Sequence, residues 1–157
     1  VGGAAVVRDE DRDWVREQLG RDPSIPWTVA VRSREGWPIV IELAPYDTKG
    51  RPQSNWFWLV DRRLVQAVAR IEARGGVRRA EKAVDPRALE LANLAHASAR
   101  RNLPHPTIAG TRAGVKCLHA HLALYLAGGF SPVGVWTMGE LVLLAPELAR
   151  ELADREA

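Results

Sequence analysis

Apolar and polar positions change rhythm about a third of the way along this 157-residue chain. Between Trp27 and Ser33 the run W-T-V-A-V-R-S alternates with a period of two. After the Glu35-Gly36 turn, W-P-I-V-I-E-L continues from Trp37 to Leu43. Side chains two apart on an extended chain share a face, so the pair predicts an antiparallel hairpin. Pro38, which cannot donate to a ladder, sets the start of the second strand at an edge. Asn55 to Val60, aromatic and branched, predicts a third short strand. Its alternation puts Trp56 and Trp58 on one face and Phe57 on the other, either as core or as a stacking surface for a base or partner. Upstream, Asp9 to Leu19 reads as a helix with acids in its first turn and Gly20 past its end. Residues 1–8 read as a flexible N-terminus.

Beyond Val60 the period becomes helical. Asp61 is a good N-cap for a helix through Arg74, with Leu64, Val65, Val68 and Ile71 on one face and Gly75-Gly76 ending it. Asp85-Pro86 opens a second helix to about Asn102, and Leu103 to Pro106 breaks it. Thr111 caps a third, running to Ala127, with Val115, Leu118, Leu122, Tyr125 and Leu126 facing the core. A last helix starts near Thr137 and is kinked or split by Pro146. Strands first and helices later predict an α+β fold. Residues 9–157 form one domain, a small antiparallel sheet of about three strands covered on one face by four to five helices.

Composition narrows the class without naming a function. An apolar fraction of 46% and a charged fraction of 26% are globular values. The net charge of +3 comes from 22 Lys and Arg against 19 Asp and Glu, interleaved along the chain. That pattern predicts a mixed solvated surface rather than nucleic-acid binding. Cys117 is the one cysteine, which excludes an intrachain disulfide and points to a reducing compartment. Val1 to Val7 is too short for a secretory leader, and Leu118 to Trp136 is interrupted by His119, His121, Gly128, Gly129 and Pro132. A cytoplasmic protein without a membrane partner is expected.

Reactive side chains concentrate in GTRAGVKCLHAHLALYLAGG, residues 110–129. On the expected helix, Arg112, Lys116 and His119 fall at i, i+4 and i+7. That stripe could hold an anion such as phosphate near a helix start, where the backbone dipole adds attraction. Cys117 and His121 are four apart, a spacing that suits two ligands to one metal ion such as zinc. Two ligands are too few for a zinc site, and His96 and His105 complete it only where the fold brings them in. The bland alternatives are a small buried cysteine, hydrogen-bonded histidines and solvated charges. Cys117 with a histidine could also form a nucleophile–base pair, but a position mid-helix among leucines suits it poorly. Phosphate-loop, dinucleotide and nucleophile-elbow motifs are missing, so no organic cofactor is expected. Three readings stay open: a non-catalytic binding or adaptor domain for an anionic ligand or protein partner, a metalloprotein or enzyme using Cys117, His119 and His121, and a purely structural helix.

The run Gly114 to His121, followed by LAGG at Leu126 to Gly129 and PVG at Pro132 to Gly134, resembles domain-of-unknown-function family 501, an uncharacterised actinobacterial family. The likeness extends to QLGR at Gln18 to Arg21, VAVR at Val29 to Arg32 and FWLVDRRLVQAVARIEARG, and covers roughly residues 14–140. It implies no established activity. Its implied gene context is a septum-formation initiator and an exopolyphosphatase-type phosphatase, hence a division- or phosphate-linked setting. Many relatives carry cysteines where this chain has Ser33 and Asp61. If those cysteines join the KCLH cysteine in a metal site, this chain has lost two soft ligands.

Overall fold

The computed structural model describes residues 6–155. Eleven elements follow in order: α1 (Asp9–Leu19), β1 (Trp27–Arg32), β2 (Pro38–Leu43), β3 (Phe57–Leu59), α2 (Arg62–Ala73), α3 (Gly76–Ala83), α4 (Pro86–Ala99), a 3-10 turn (Ile108–Gly110), α5 (Leu118–Leu126), α6 (Pro132–Leu144) and α7 (Pro146–Ala153). The fold is α+β, as the pattern predicts. The three strands form an antiparallel sheet in the order β1-β2-β3, with Val29 opposite Ile41 and Val40 opposite Leu59. Among the described residues, no helix is long and apolar enough to cross a membrane.

β2 is the central strand, and Pro38 sits at its first residue, where a missing N–H costs no inner ladder bond. Both faces of the sheet are covered, not one. Val31, Val40 and Leu59 join the main core with Leu64, Val68, Leu118, Leu122 and Leu141 of the helical layer. Ile41 and Leu43 pack on the opposite face with Val15, Ile25 and Val60, and Trp14, Leu19 and Trp58 lie against them. The consecutive Ile39, Val40 and Ile41 carry this in the sequence, since a strand buried on both sides has no polar alternate positions.

The helix count is seven among the described residues, more than the four to five expected. Gly75, at φ 75°, ends α2 in the left-handed region, but the chain re-enters a helix at once. Gly76 is buried against the Ile71 carbonyl, where an added Cβ would come within 2.5 Å of oxygen. Ser131 caps α6, its hydroxyl accepting the Gly134 N–H, so this helix starts five residues before Thr137. Pro146 splits off α7 as a separate helix.

Of the N-terminus expected to be loose, residues 1–5 lie outside the described residues. Arg8 is tied down: its backbone N–H donates to Asp11 Oδ2 at 2.9 Å, and its guanidinium donates to Asp11 and to the Gly36 carbonyl. Asp11 is fully buried. It also receives Arg32 through two parallel bonds of 2.8 and 2.9 Å. The bonds from Arg32, together with those from Arg8, hold the Asp11 carboxyl far below the usual carboxylate range. One buried carboxylate thus locks α1 to the β1–β2 hairpin. Removing one partner of such a pair strands the other charge, typically at a cost of about 3–5 kcal/mol. Asp11→Ala should lower unfolding stability in urea by about 3 kcal/mol. A loss below about 1 kcal/mol would show that the pair does not hold α1.

Candidate functional site

The expected helix from Thr111 does not form. Residues 111–117 are irregular, α5 begins at Leu118, and Cys117 is its N-cap in an extended conformation (φ −153°, ψ 123°). Gly114 adopts φ 68°, a left-handed conformation that a helix interior excludes. Two carboxylates from the preceding helices take the amide groups that a helix would have used. Glu81 of α3 accepts the Val115 N–H at 2.7 Å, and Glu72 of α2 accepts the Leu118 N–H at 2.8 Å. A carboxylate at a helix N-terminus also meets the positive end of the backbone dipole.

This path removes both geometric premises of the sequence reading. Arg112 and Lys116 are exposed on the loop and share no helical stripe with His119. Cys117 precedes the helix, so it does not share a helix face with His121. His121 is fully buried. Its Nδ1 lies 2.9 Å from Ser131 Oγ, and its Nε2 has no partner among the described residues. Burial, helped by the charge of nearby His96, pulls its pKa down to about 4. His96 lies against the Pro106 carbonyl and is likewise pushed down, mainly by burial, while His105 is exposed.

A different set comes together. Glu72, Cys117 and His119 offer a carboxylate oxygen, Sγ and a ring nitrogen that all lie within 4.8 Å of one another. It is the only such group of three or more His, Cys, Asp or Glu among the described residues. His119 Nδ1 is 3.2 Å from Glu72 Oε1, and its Nε2 is 3.1 Å from the Val65 carbonyl. Burial disfavours the charged ring. The hydrogen bond with Cys117, the Val65 carbonyl and the charge of Glu72 outweigh it and raise its pKa to about 9. Each of the three residues is partly exposed. Cys117 and His119 line a cavity of about 200 Å³ with Leu19, Phe57, Trp58 and Val65.

Ser33 and Asp61, where the family resemblance implies cysteines, have structural roles here. Ser33 Oγ accepts the Trp37 N–H in the hairpin turn, and Asp61 caps α2 and pairs with Arg63. Neither belongs to the cluster. Trp56 and Trp58 also part company. Trp56 stacks on Phe57 at 4.9 Å, donates to Glu42 and meets the edge of His96, while Trp58 packs in the second core. Sequence reasoning missed Glu72 and Glu81. The available signal was that they are the only acids in the strongly basic stretch 62–82.

Fold and cluster together define a small α+β protein with a thiol–imidazole–carboxylate centre where two helix ends meet. The chain belongs to the family described as protein of unknown function DUF501, whose model matches residues 29–107 and 87–139. Neither the curated proteins nor the solved structures contain a match to the chain.

His121 makes a pH prediction. An unfolded histidine takes up a proton near pH 6.5, the folded ring only near pH 4. The unfolded state therefore binds more protons between these values, and stability must fall as pH drops from 6.5 to 4 and level off below, by roughly 3 kcal/mol. His121→Gln, which keeps a group to meet Ser131, should flatten the urea-midpoint profile over that window. An unchanged profile would mean that the ring is hydrated in the folded protein.

Proposed function

We propose that this protein binds a divalent transition-metal ion of the zinc class through Glu72, Cys117 and His119. The observation that carries the reading is the convergence of three different donor atoms from α2 and the start of α5 within 4.8 Å. One thiolate, one imidazole and one carboxylate form a borderline-soft set, suited to zinc and unsuited to calcium or magnesium, which take oxygen ligands. His119 supports it further. A metal-binding histidine usually gives its second N–H to a carbonyl or carboxylate, and here Nε2 faces the Val65 carbonyl while Nδ1 faces Glu72 Oε1. Three protein ligands leave a fourth position open, as in catalytic rather than structural zinc sites. That position would adjoin the cavity under Phe57 and Trp58. A free thiol ligand fits a reducing compartment such as the cytoplasm.

Two opposing effects are smaller than the coordination energy. The positive end of α5 disfavours a cation by about 0.3–1 kcal/mol. The proton on His119 must leave. With a pKa of about 9, displacing it at pH 7 costs about 3 kcal/mol. Structural zinc sites supply about 10–16 kcal/mol with four ligands, and a three-ligand site retains enough to overcome both terms.

The protein purified without a histidine tag should take up one zinc ion per chain in competition with a chromophoric chelator. Affinity should rise by about tenfold per pH unit between pH 7 and 9, because the same ring nitrogen loses its proton over that range. Cys117→Ala and His119→Ala should each weaken binding by about 100-fold or more, and His121→Gln by less than about twofold. Absence of binding at micromolar zinc, or equal loss in His121→Gln, would overturn the reading.

A further inference from the structure

Positive charge is strongly segregated in this molecule. Residues 62–82 hold seven Lys and Arg against two Glu, and residues 110–118 add Arg112 and Lys116 with no acid. The whole chain carries only +3, so the remainder is net acidic. The two acids of this region accept backbone hydrogen bonds rather than pairing with its cations. Glu72 and Glu81 are turned onto the backbone N–H groups of Leu118 and Val115. Those same bonds tie the 111–117 loop, which carries Arg112 and Lys116, to α2 and α3, which carry the helical cations.

Not every cation there is free. Arg63 pairs with Asp61 and Glu151, and Arg79 pairs with Glu140 and lies over Trp136. Arg62 donates to the Glu17 and Gln18 carbonyls. Six remain: Arg70, Arg74, Arg78, Lys82, Arg112 and Lys116. All are exposed, and none forms an ion pair among the described residues. Arg70 and Arg74 are four apart at the end of α2, and Arg78 and Lys82 are four apart on α3, so each pair shares a helix face. Gly76 and Ala80 bury the other side of α3. Six unpaired cations repel one another and destabilise the fold unless the surface meets a complementary charge.

We infer that α3, the end of α2 and the 111–117 loop form a docking surface for the phosphodiester backbone of a nucleic acid, bound without sequence readout. Three features select this partner. Cations spread over two helices and a loop outnumber the acids there by nine to two, which suits a ligand with repeated anionic groups better than a single small anion. Four of the six cations are arginine, whose planar fork matches phosphate oxygens in pairs. The exposed aromatic needed to stack a base is missing from this surface, which leaves backbone contact as the mode of binding. The basic stretch is local, whereas the charge balance of the whole chain predicts an evenly mixed surface. Arg112 and Lys116 are kept as anion-binding cations, but on an exposed loop tied to α3 rather than on a helical stripe with His119.

The test is fluorescence polarisation with a random-sequence 20-base-pair DNA duplex and a random single-stranded RNA, from 50 to 300 mM salt. For four to six phosphate contacts, the slope of log K against log salt on duplex should be about −4 to −5. The double variants Arg78→Glu/Lys82→Glu and Arg112→Glu/Lys116→Glu should each weaken binding at least tenfold and reduce the slope by about 2. The control Arg12→Glu/Arg21→Glu, on the other side of the sheet, changes net charge equally and should weaken binding less than threefold. Circular dichroism melts show that each variant is folded, and Arg78→Gln/Lys82→Gln replaces any that is not. Equal loss in the control variant would reduce the effect to net charge and overturn the inference. No binding at 50 mM salt would overturn it too, as would tighter binding to poly-L-glutamate of matched length than to nucleic acid. Zinc loading is measured in parallel and is expected to be the same in all four variants.

Discussion

A single carboxylate oxygen organises the part of this molecule that carries chemistry. Glu72 Oε1 receives the first backbone N–H of α5 and faces the imidazole of His119, joining the last turn of α2 to the start of a helix 46 residues away. Hydrogen bonds to a charged group contribute about 1.5–3 kcal/mol each, so the junction is strong on the scale of a domain's total stability. It also decides where α5 begins. Cys117 is placed in the extended N-cap position beside the two residues it would otherwise have been turned away from. The neighbouring bond from Val115 to Glu81, with Gly114 in a left-handed conformation against that carboxylate, gives the loop its remaining course.

His119 and His121, two positions apart, show how partners rather than sequence neighbourhood fix charge. Both are desolvated, which alone favours the neutral ring. His119 meets a carboxylate, a thiol and a carbonyl, and its pKa rises to about 9. His121 is fully buried, meets one hydroxyl and feels the charge of His96, and its pKa falls to about 4. The first therefore favours the protonated ring, and the second the neutral one. The second is a core residue that secures the α5–α6 contact, where Gly134 lets the helices approach so closely that a Cβ would strike the His121 carbonyl at 2.5 Å. Arg100 makes the complementary point among the buried cations. Its guanidinium donates to the Gln53 and Asn55 carbonyls beneath Trp56, clasping the long loop before β3.

What could be read from the sequence follows the range of the interactions involved. The hairpin, the third strand, α1, α2 and the start of α4 rest on local periodicity and on caps such as Asp61 and Asp85, and these are where the pattern puts them. Gly75-Gly76 ends α2 as the pattern predicts, but the pattern does not show that a further helix, α3, starts at Gly76. Gly114 was carried inside a helix although its conformation forbids one. The site errors are of another kind. Helical spacing selected Cys117 and His121 as partners, but the contact that matters is between residues 45 and more positions apart, and no local pattern encodes that Glu72 turns inward while Arg70 and Arg74 turn out. The family likeness on KCLHAH marks a segment that includes Cys117 and His119 but not Glu72, which meets them from α2.

The coordination sphere of the zinc-loaded protein tests the central claim most directly. X-ray absorption fine structure at the zinc edge should resolve one sulfur scatterer at about 2.3 Å and nitrogen or oxygen scatterers at about 2.0–2.1 Å, including one imidazole. The sulfur shell should vanish in Cys117→Ser. A first shell without sulfur in the unaltered protein would contradict the account, because the zinc would then sit away from the junction that Glu72 builds.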